Sequence, residues 1–457
     1  MNNPLLSICI PTWNRCELLE LLLRNLEKEL KGIDHFVEIV VSDNASTDCT
    51  TEIIDRSPVK VVYGRHKKTV SFAKNLLHAT TMLAKGEFVW VVGDDDLFLP
   101  GGIKRVIHSL QTAGDLDYHY ANFGWIDVEV RAKVVNDLQG IPPASTLERL
   151  QCDDRNWRRL ERIEDLAFLP GYNPSALFSG IFCFIVRRQY YLQYSHTISP
   201  TDSLDGSSTE LSDAFPHAMI TLPHLAGRPI AYIGEPTVMQ GINGWAWQAH
   251  AAKTMIRSTY DLLIWLNSTK FAEDARHRLR ASYAEMAGRL LAKMLLFPEL
   301  NIGLDLVLKK AIPSVATEYG FWENFISVAR YEIKLTSDKE ILSTHIRLAL
   351  ASEPHPSIGI WGYSRFYTDL FGNDTDKQQL IRWVGDSNNC LEGIIAQNTN
   401  IRITPTETLR NAPINILVLA VREDYVNELI ERSRTMLPRN VRIISVLGID
   451  SCFSQNG

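Results

Sequence analysis

The sequence contains no CxxC pair, and its seven cysteines are spaced irregularly. Zinc sites and disulfide frameworks are typically built from cysteines in paired or regular spacing, so we predict neither a zinc site nor a disulfide framework. An odd number of scattered cysteines fits a protein of the reducing cytoplasm, which is the location that we expect.

The chain also lacks a long apolar run. The longest such stretch, residues 176–186, contains serine and glycine and is too short to span a bilayer. The first residues pass directly into a strand pattern, so we expect no signal peptide. We therefore expect a soluble protein, and the sequence leaves open peripheral contact with the inner face of a membrane.

An excess of positive charge is absent as well. Lys and Arg total 47 against 53 Asp and Glu, which gives a net charge of -6 at pH 7. This balance excludes an overall basic footprint for nucleic acid, and we expect no nucleic-acid partner. Apolar residues make up 45% of the 457 residues, which suffices for two or three globular cores.

One stretch joins an apolar run to an abrupt cluster of acidic residues. Residues 88–92 predict a buried strand, and Asp94, Asp95 and Asp96 follow after a single glycine. Adjacent carboxylates repel one another, and burying them without a counter-charge is costly. A divalent cation that carries a diphosphate would supply this charge. The alternative is a solvated acidic turn.

Strand and helix patterns alternate through the first portion of the chain. Strands are predicted at residues 5–10, 37–42, 59–63 and 88–92, with amphipathic helices between them, the last of which covers residues 71–84. Later residues predict a further strand at 181–186 and a single helix over 213–225. This alternation predicts an α/β fold whose mostly parallel sheet is flanked by helices. Because such sheets bind ligands at the carboxyl ends of their strands, we expect the loops after these four strands to converge.

The later chain changes character twice. Residues 250–351 carry long amphipathic helical patterns, and we interpret them as an all-helical segment. Strand patterns return after Pro354 and Pro356, and they predict a second, smaller, Rossmann-like α/β domain. We therefore predict three parts, at residues 1–249, 250–351 and 352–457.

Four motifs in order resemble the family-two glycosyltransferases, which have the GT-A fold. They occupy residues 7–15, 40–48, 71–75 and 91–96. The resemblance implies a GT-A domain over residues 1–249. It also implies an inverting, metal-dependent enzyme that moves a sugar from a uridine- or thymidine-type nucleotide-diphosphate sugar. The implied acceptor is a saccharide or lipid-linked saccharide, in bacterial surface polysaccharide biosynthesis such as that of an O-antigen or capsule.

The resemblance also implies a donor site. Asp43 would bind the nucleotide base, since a carboxylate accepts the ring N–H of uracil or thymine, although a local Asx-turn is the alternative. The acid triplet matches the family's DxD element, which would bind Mn²⁺ or Mg²⁺ through Asp96 and Asp94, with Asp94 also directed to the sugar nucleotide. The other donor-binding candidates are Pro11, Thr12, Asn14, Arg15, Lys74, Asn75 and Asp95. Further cations that would face the diphosphate are Arg65, Lys67 and Lys68.

An inverting transferase also needs a general base for the acceptor hydroxyl. The family has an acidic residue at the start of a helix after the acceptor-binding segment, which implies Asp213 first and Glu210 second. Asp213 alternatively complements a helix dipole. Trp245 and Trp247 would stack on the acceptor sugar, or else are packing residues.

The C-terminal portion begins with a motif at residues 358–366 that resembles a degenerate Rossmann dinucleotide loop. Asp386 lies where a ribose-binding acid is expected. We interpret this portion as a structural or partner-binding unit. Two other hypotheses stay open: a non-catalytic nucleotide-sugar-binding or scaffold protein, and a bifunctional enzyme with a nucleotide-binding C-terminal domain. The sequence also leaves open a homo-oligomer.

Overall fold

The computed structural model describes most of the chain in two compact units. The described residues are 3–126, 149–172, 176–200, 211–241, 265, 270–296, 316, 320–363, 365–371, 374–387, 391–393, 395–396, 399–421 and 423–450. Those up to Val328 form the first unit, and those from Ala329 onward form the second. The three-part division at residues 249 and 351 stays a prediction.

Within the described residues, the first unit contains a ten-stranded mixed sheet. Its strands are β1 (Leu6–Thr12), β2 (Val37–Asp43), β3 (Val61–Arg65), β4 (Phe88–Val91), β5 (Leu97–Phe98), β6 (Tyr118–Ile126), β7 (Arg149–Leu150), β8 (Arg158–Leu160), β9 (Phe184–Arg187) and β10 (Ile230–Gly241). The strand order is β3-β2-β1-β4-β9-β6-β10-β5, with β7 beside β6 and β8 beside β10.

Helices lie between these strands and after the last of them. They are α1 (Cys16–Glu29), α2 (Thr50–Asp55), α3 (Phe72–Leu77), α4 (Gly102–Thr112), α5 (Ala176–Ser179), α6 (Gln189–Tyr194), α7 (Leu211–Ala214), α8 (Pro216–Leu225), α9 (Glu273–Leu296) and α10 (Phe321–Ala351), and the boundary between the units falls within α10. Within the described residues, no helix has both the length and the apolar character needed to cross a membrane.

Strands β3, β2, β1 and β4 are parallel neighbours, which confirms the predicted α/β fold class. Every residue of β1 is buried, as expected for a parallel strand that is covered on both faces. The register pairs Thr12 with Asp43 and Asp43 with Arg65, so the carboxyl ends of three strands meet at one edge.

Three elements differ from the sequence-based expectation. The helix predicted over residues 71–84 is α3 followed by a π-helical turn at His78–Leu83. The single helix predicted from Asp213 onward is found as two helices, α7 and α8. Pro216 lacks an N–H and therefore fits best in the first turn of a new helix. The strand predicted at residues 181–186 begins only at Phe184, after a 3₁₀ turn at Ile181–Cys183.

The second unit contains a smaller sheet, which confirms a second α/β region. Its described strands are β11 (Ile358–Trp361), β12 (Ile381–Asp386), β13 (Thr404–Pro405), β14 (Ile416–Leu419), β15 (Arg442–Ser445) and β16 (Gly448–Asp450). Its described helices, besides part of α10, are α11 (Arg365–Phe371), α12 (Thr375–Gln378) and α13 (Glu423–Met436). The order β13-β12-β11-β14-β15-β16 is parallel up to β15, as in a Rossmann-type sheet.

Candidate active site

The loops after β1 and β2 are interlocked at the carboxyl edge of the sheet. The Asn44 N–H donates to the Thr12 carbonyl over 3.0 Å, and the Asn14 N–H donates to Ser46 Oγ over 2.9 Å. In return, Asn14 Oδ1 accepts from the Thr47 N–H over 2.7 Å. Asn14 has a left-handed backbone, with φ of 51°, which its short polar side chain tolerates. The two loops therefore form one preorganised surface.

A disulfide bond between Cys16 and Cys49 also joins these loops. Cysteine spacing predicted no disulfide framework, and this prediction is wrong for the pair. The two residues are 33 positions apart, but the adjacent strands β1 and β2 bring their Cα atoms to 5.5 Å. The Cys16 N–H also donates to Asp48 Oδ2 over 2.9 Å. Of the other cysteines that the structure describes, the free and buried ones are Cys9, Cys152 and Cys183.

Asp43, the predicted base-binding residue, is fully buried at the end of β2. Its Oδ1 accepts from the Ser46 N–H over 2.8 Å, which is the local turn contact considered as the alternative. Its Oδ2 accepts from the Tyr63 hydroxyl over 2.7 Å and lies 3.4 Å from Arg65 Nη1. Arg65 therefore contacts the proposed base-binding carboxylate. Sequence reasoning missed Tyr63, although its place in β3 beside β2 was an available signal.

Asn75 contacts β2 through both polar atoms of its side chain. Its Oδ1 accepts from Ser42 Oγ over 2.6 Å, and its Nδ2 donates to the Ser42 carbonyl over 3.0 Å. Asn75 is buried, so this contact positions α3 against the sheet. Lys74 lies on the same helix and is half-buried. That Lys74 and Asn75 bind the donor stays a prediction.

The acid triplet follows β4, and it is not a solvated turn. Asp94 and Asp96 are each only 4% exposed. Asp94 Oδ2 accepts from Thr12 Oγ1 over 2.8 Å, and its Oδ1 accepts from Arg15 Nη1 over 2.9 Å. The same Arg15 nitrogen lies 3.4 Å from Asp95 Oδ2. The β1 loop therefore supplies the counter-charge that the buried carboxylates require.

The third carboxylate, Asp96, folds back on its own turn. Its Oδ2 accepts from the Gly93 N–H over 2.7 Å. Glycine leaves room for this arrangement, since a Cβ at position 93 would lie 2.7 Å from Asp95 Oδ1 and 3.1 Å from Asp96 Oδ2. The small residue before the triplet therefore permits a close approach of two acidic side chains to the backbone.

Burial raises the pKa of Asp94 to about 6, and the Asp95 charge adds to this rise. The Arg15 guanidinium and the Thr12 hydroxyl oppose it, because both stabilise the charged carboxylate. Asp94 is therefore mostly ionised at neutral pH, and it stays so with the help of its two donors.

The triplet fits a divalent metal that arrives together with a diphosphate. No three His, Cys, Asp or Glu side chains converge on a metal position in the part of the chain that the structure describes. Hard carboxylate oxygens suit Mg²⁺ and Mn²⁺, and Mg²⁺ is commonly held by one or two carboxylates plus substrate phosphates. The roles of Asp96 and Asp94 as ligands stay predictions, and both Asp94 oxygens already accept hydrogen bonds.

Asp213, the first candidate for the general base, lies in α7 and is 8% exposed. Helix α7 packs against α3, the helix that carries Lys74. The structure thus brings the proposed base and a proposed donor-binding lysine onto neighbouring helices. The remaining candidates, Glu210, Trp245 and Trp247, lie outside the described residues.

Residues 7–153 match the family model Glycosyl transferase family 2. The N-terminal region is a glycosyltransferase family 2 domain. The matched residues include the acid triplet and the two interlocked loops after β1 and β2.

Two named relatives match part of this glycosyltransferase domain. Abequosyltransferase RfbV of Salmonella typhimurium is 36% identical over 117 residues, which cover 24% of this chain and 34% of that protein. The putative colanic acid biosynthesis glycosyl transferase WcaA of Escherichia coli is 28% identical over 124 residues, which cover 26% of this chain and 43% of that protein. The chain thus spans less than half the length of either relative.

One similar solved structure is that of S. aureus TarS 1-349 in complex with UDP-GlcNAc. The match covers 72% of this chain and 91% of the TarS chain, with a TM-score of 0.46 and 13% sequence identity.

Outside the glycosyltransferase domain, the loop after β11 is closed by contacts within the second unit. The Tyr363 N–H donates to Asp386 Oδ2 over 2.7 Å, so the acid expected at a ribose also serves a local contact. Gly362 has a φ of 106°, and a Cβ there would lie 2.8 Å from the Ala420 carbonyl. This glycine is needed for close packing against the end of β14. Nucleotide binding by this unit stays a hypothesis.

Proposed function

We propose that this protein is an inverting, metal-dependent glycosyltransferase that uses a nucleotide-diphosphate sugar of the uridine or thymidine type. The observation that carries the proposal is the buried acid triplet paired with Arg15, at the sheet edge that also carries Asp43. A base-binding carboxylate and a diphosphate-metal site at one edge match the two ends of such a donor. The family match of residues 7–153 supports the same class of reaction.

The acceptor in this proposal is a saccharide or a lipid-linked saccharide of a bacterial surface polysaccharide. Support comes from the names of two relatives, an abequosyltransferase and a putative colanic acid biosynthesis glycosyl transferase. Such acceptors present a free hydroxyl, which must lose its proton as it attacks the anomeric carbon. The reaction would take place in the cytoplasm or at the inner face of the membrane, although a disulfide such as that between Cys16 and Cys49 is uncommon in a reducing compartment.

In this mechanism Asp43 accepts a hydrogen bond from the ring N–H of the base. Tyr63 and Arg65 hold the carboxylate in its orientation, so little ordering is needed when the donor binds. Thr12 and Arg15 hold Asp94 in the same way at the other end of the site. Mn²⁺ or Mg²⁺ bound at Asp96 would neutralise the charge that develops on the leaving diphosphate.

The proton of the acceptor hydroxyl passes to the carboxylate of Asp213 in our proposal. The acceptor oxygen forms its bond to the anomeric carbon as the bond from that carbon to the diphosphate oxygen breaks, which inverts the configuration. Glu210 is the second candidate for this role. Lys74, on the helix against which α7 packs, would face the diphosphate.

A nucleotide-sugar screen followed by donor turnover tests this function. We expect a uridine or thymidine diphosphate sugar with Mn²⁺ to raise the melting temperature, since ligands that bind the folded state stabilise it. We then expect Asp96→Asn and Asp213→Asn each to lower kcat by about 100-fold or more. The matched control is Asp55→Asn, which makes the same change at an exposed position.

Turnover that is insensitive to Asp96→Asn and to a chelator would remove the metal from the proposal. Donor binding by calorimetry with no turnover over a broad acceptor panel would favour a non-catalytic nucleotide-sugar-binding or scaffold protein instead.

A further inference from the structure

The single guanidinium of Arg15 faces the whole acid triplet. Its Nη1 donates to Asp94 Oδ1 over 2.9 Å and lies 3.4 Å from Asp95 Oδ2. Burial lowers the pKa of Arg15, but the charges of Asp94, Asp95 and Asp96 together raise it above its ordinary value. A cation is therefore already present at the carboxylates to which the proposed metal binds.

Arg15 is fixed in this position from both sides along the chain. On one side, left-handed Asn14 is tied to the Ser46 hydroxyl and to the Thr47 N–H. On the other side, Cys16 is bonded to Cys49. The Arg15 side chain is only 21% exposed. It is thus a preorganised part of the site and not a mobile surface arginine.

Both carboxylate oxygens of Asp94 already accept hydrogen bonds. One of its oxygens accepts from Arg15 and the other accepts from Thr12. A metal bound to this carboxylate would share its oxygens with a charge-assisted contact, and such contacts are stronger than neutral hydrogen bonds. The positive charge of Arg15 would also repel a divalent cation that approached Asp94.

We propose that Arg15 is a positioning residue that holds Asp94 away from the metal. The cation then binds tightly only when the donor's diphosphate supplies further oxygens, and the protein without nucleotide binds it weakly. This inference rests on the proposed function, because it concerns the same donor site. It makes binding of metal and nucleotide mutually dependent, so the site does not fill with metal alone.

Titration of the full chain with Mn²⁺, followed by the electron paramagnetic resonance signal of the free ion, tests this role. Mildly alkaline buffer keeps Asp94 ionised, and each titration is run with and without UDP. Arg15→Met removes the charge at similar side-chain length, while Arg15→Lys retains it. Arg24→Met makes the same change at an exposed position of α1.

We expect the wild-type protein and Arg24→Met to bind Mn²⁺ weakly alone and much more tightly with UDP. Arg15→Met should bind Mn²⁺ alone about three- to tenfold more tightly, because one nearby repulsive charge is gone. Its gain from UDP should shrink, and Arg15→Lys should stay close to wild type. The double variant Arg15→Met with Asp94→Asn should bind Mn²⁺ alone no more tightly than the wild-type protein. The tighter binding by Arg15→Met comes from the released carboxylate of Asp94, which the double variant lacks.

Unchanged or weaker binding of Mn²⁺ by folded Arg15→Met, checked by circular dichroism, would overturn the inference. Loss of Mn²⁺ binding by Asp94→Asn alone would also overturn it, because Asp94 would then be a ligand in the wild-type protein. If wild-type protein bound no Mn²⁺ in the presence of any nucleoside diphosphate, the proposed function itself would fail.

Discussion

The Tyr63 hydroxyl donates a hydrogen bond to Asp43 Oδ2 over 2.7 Å, across the neighbouring strands β3 and β2. This contact lies at the carboxylate that we propose for base recognition. Asp43 is fully buried, so each of its donors matters both for stability and for the direction in which the carboxylate points.

Replacing this tyrosine by phenylalanine tests the contact. We expect Tyr63→Phe to lower the free energy of unfolding by about 1–2 kcal/mol, because a buried carboxylate loses a donor. The affinity for UDP should fall several-fold as the orientation of Asp43 loosens. Chemical denaturation and calorimetry measure the two effects, with exposed Tyr331→Phe as the matched control. Equal stability and equal affinity in both variants would contradict this role.

The bond between Cys16 and Cys49 gives a second prediction. It closes a loop with a sequence separation of 33, for which chain entropy predicts roughly 3–4 kcal/mol of stabilisation. We expect a reductant to lower the melting temperature of the first unit in the wild-type protein. The double variant Cys16→Ser with Cys49→Ser should melt at that lower temperature, whether or not reductant is present. A wild-type melting curve that reductant leaves unchanged would show that the bond contributes nothing.

The third prediction concerns pH. Burial, aided by the nearby Arg187 charge, lowers the pKa of His119 to about 4, while Asp115 acts in the opposite direction. The unfolded chain binds this proton at an ordinary pKa near 6.5, so protonation favours unfolding. The free energy of unfolding should therefore fall by roughly 3 kcal/mol as pH drops from about 6.5 to about 4.

The variant His119→Asn isolates this contribution. An asparagine can keep a hydrogen bond to Ser109 Oγ, which lies 2.9 Å from Nδ1 of the histidine. The slope of stability against pH should be flatter in the variant. Asp94 acts with the opposite sign, since its raised pKa costs stability as pH rises toward 6, but its effect cancels in the comparison. Identical slopes in urea titrations at several pH values would rule out the role of His119.

A fourth prediction separates two glycines near the triplet. Gly93→Ala should push the side chains of Asp95 and Asp96, and so weaken binding of Mn²⁺ with UDP severalfold while stability changes little. Gly102→Ala should instead lower the free energy of unfolding by about 1–3 kcal/mol, because its Cβ would clash with the backbone carbonyl of Thr237. Metal titration and denaturation distinguish the two outcomes, and a reversed pattern would contradict the geometry.

Periodicity in the sequence was sufficient to predict the α/β class and the first four strands within a few residues. Buried parallel strands such as β1 are apolar along their whole length, and this leaves a local pattern. Helix interruptions were harder to predict. A proline such as Pro216 ends one helix and begins another, and only the packing of neighbouring elements decides which happens.

The sequence by itself determined that three carboxylates follow a buried strand, and therefore that a counter-charge is needed. Which group supplies that charge was decided by the tertiary structure. Arg15 lies 79 positions away from Asp94, and Cys16 lies 33 positions away from Cys49. The order and register of the parallel strands bring such residues together. Strand order and register cannot be predicted from the local spacing of residues, because a crossover connection separates the two strands of every parallel pair.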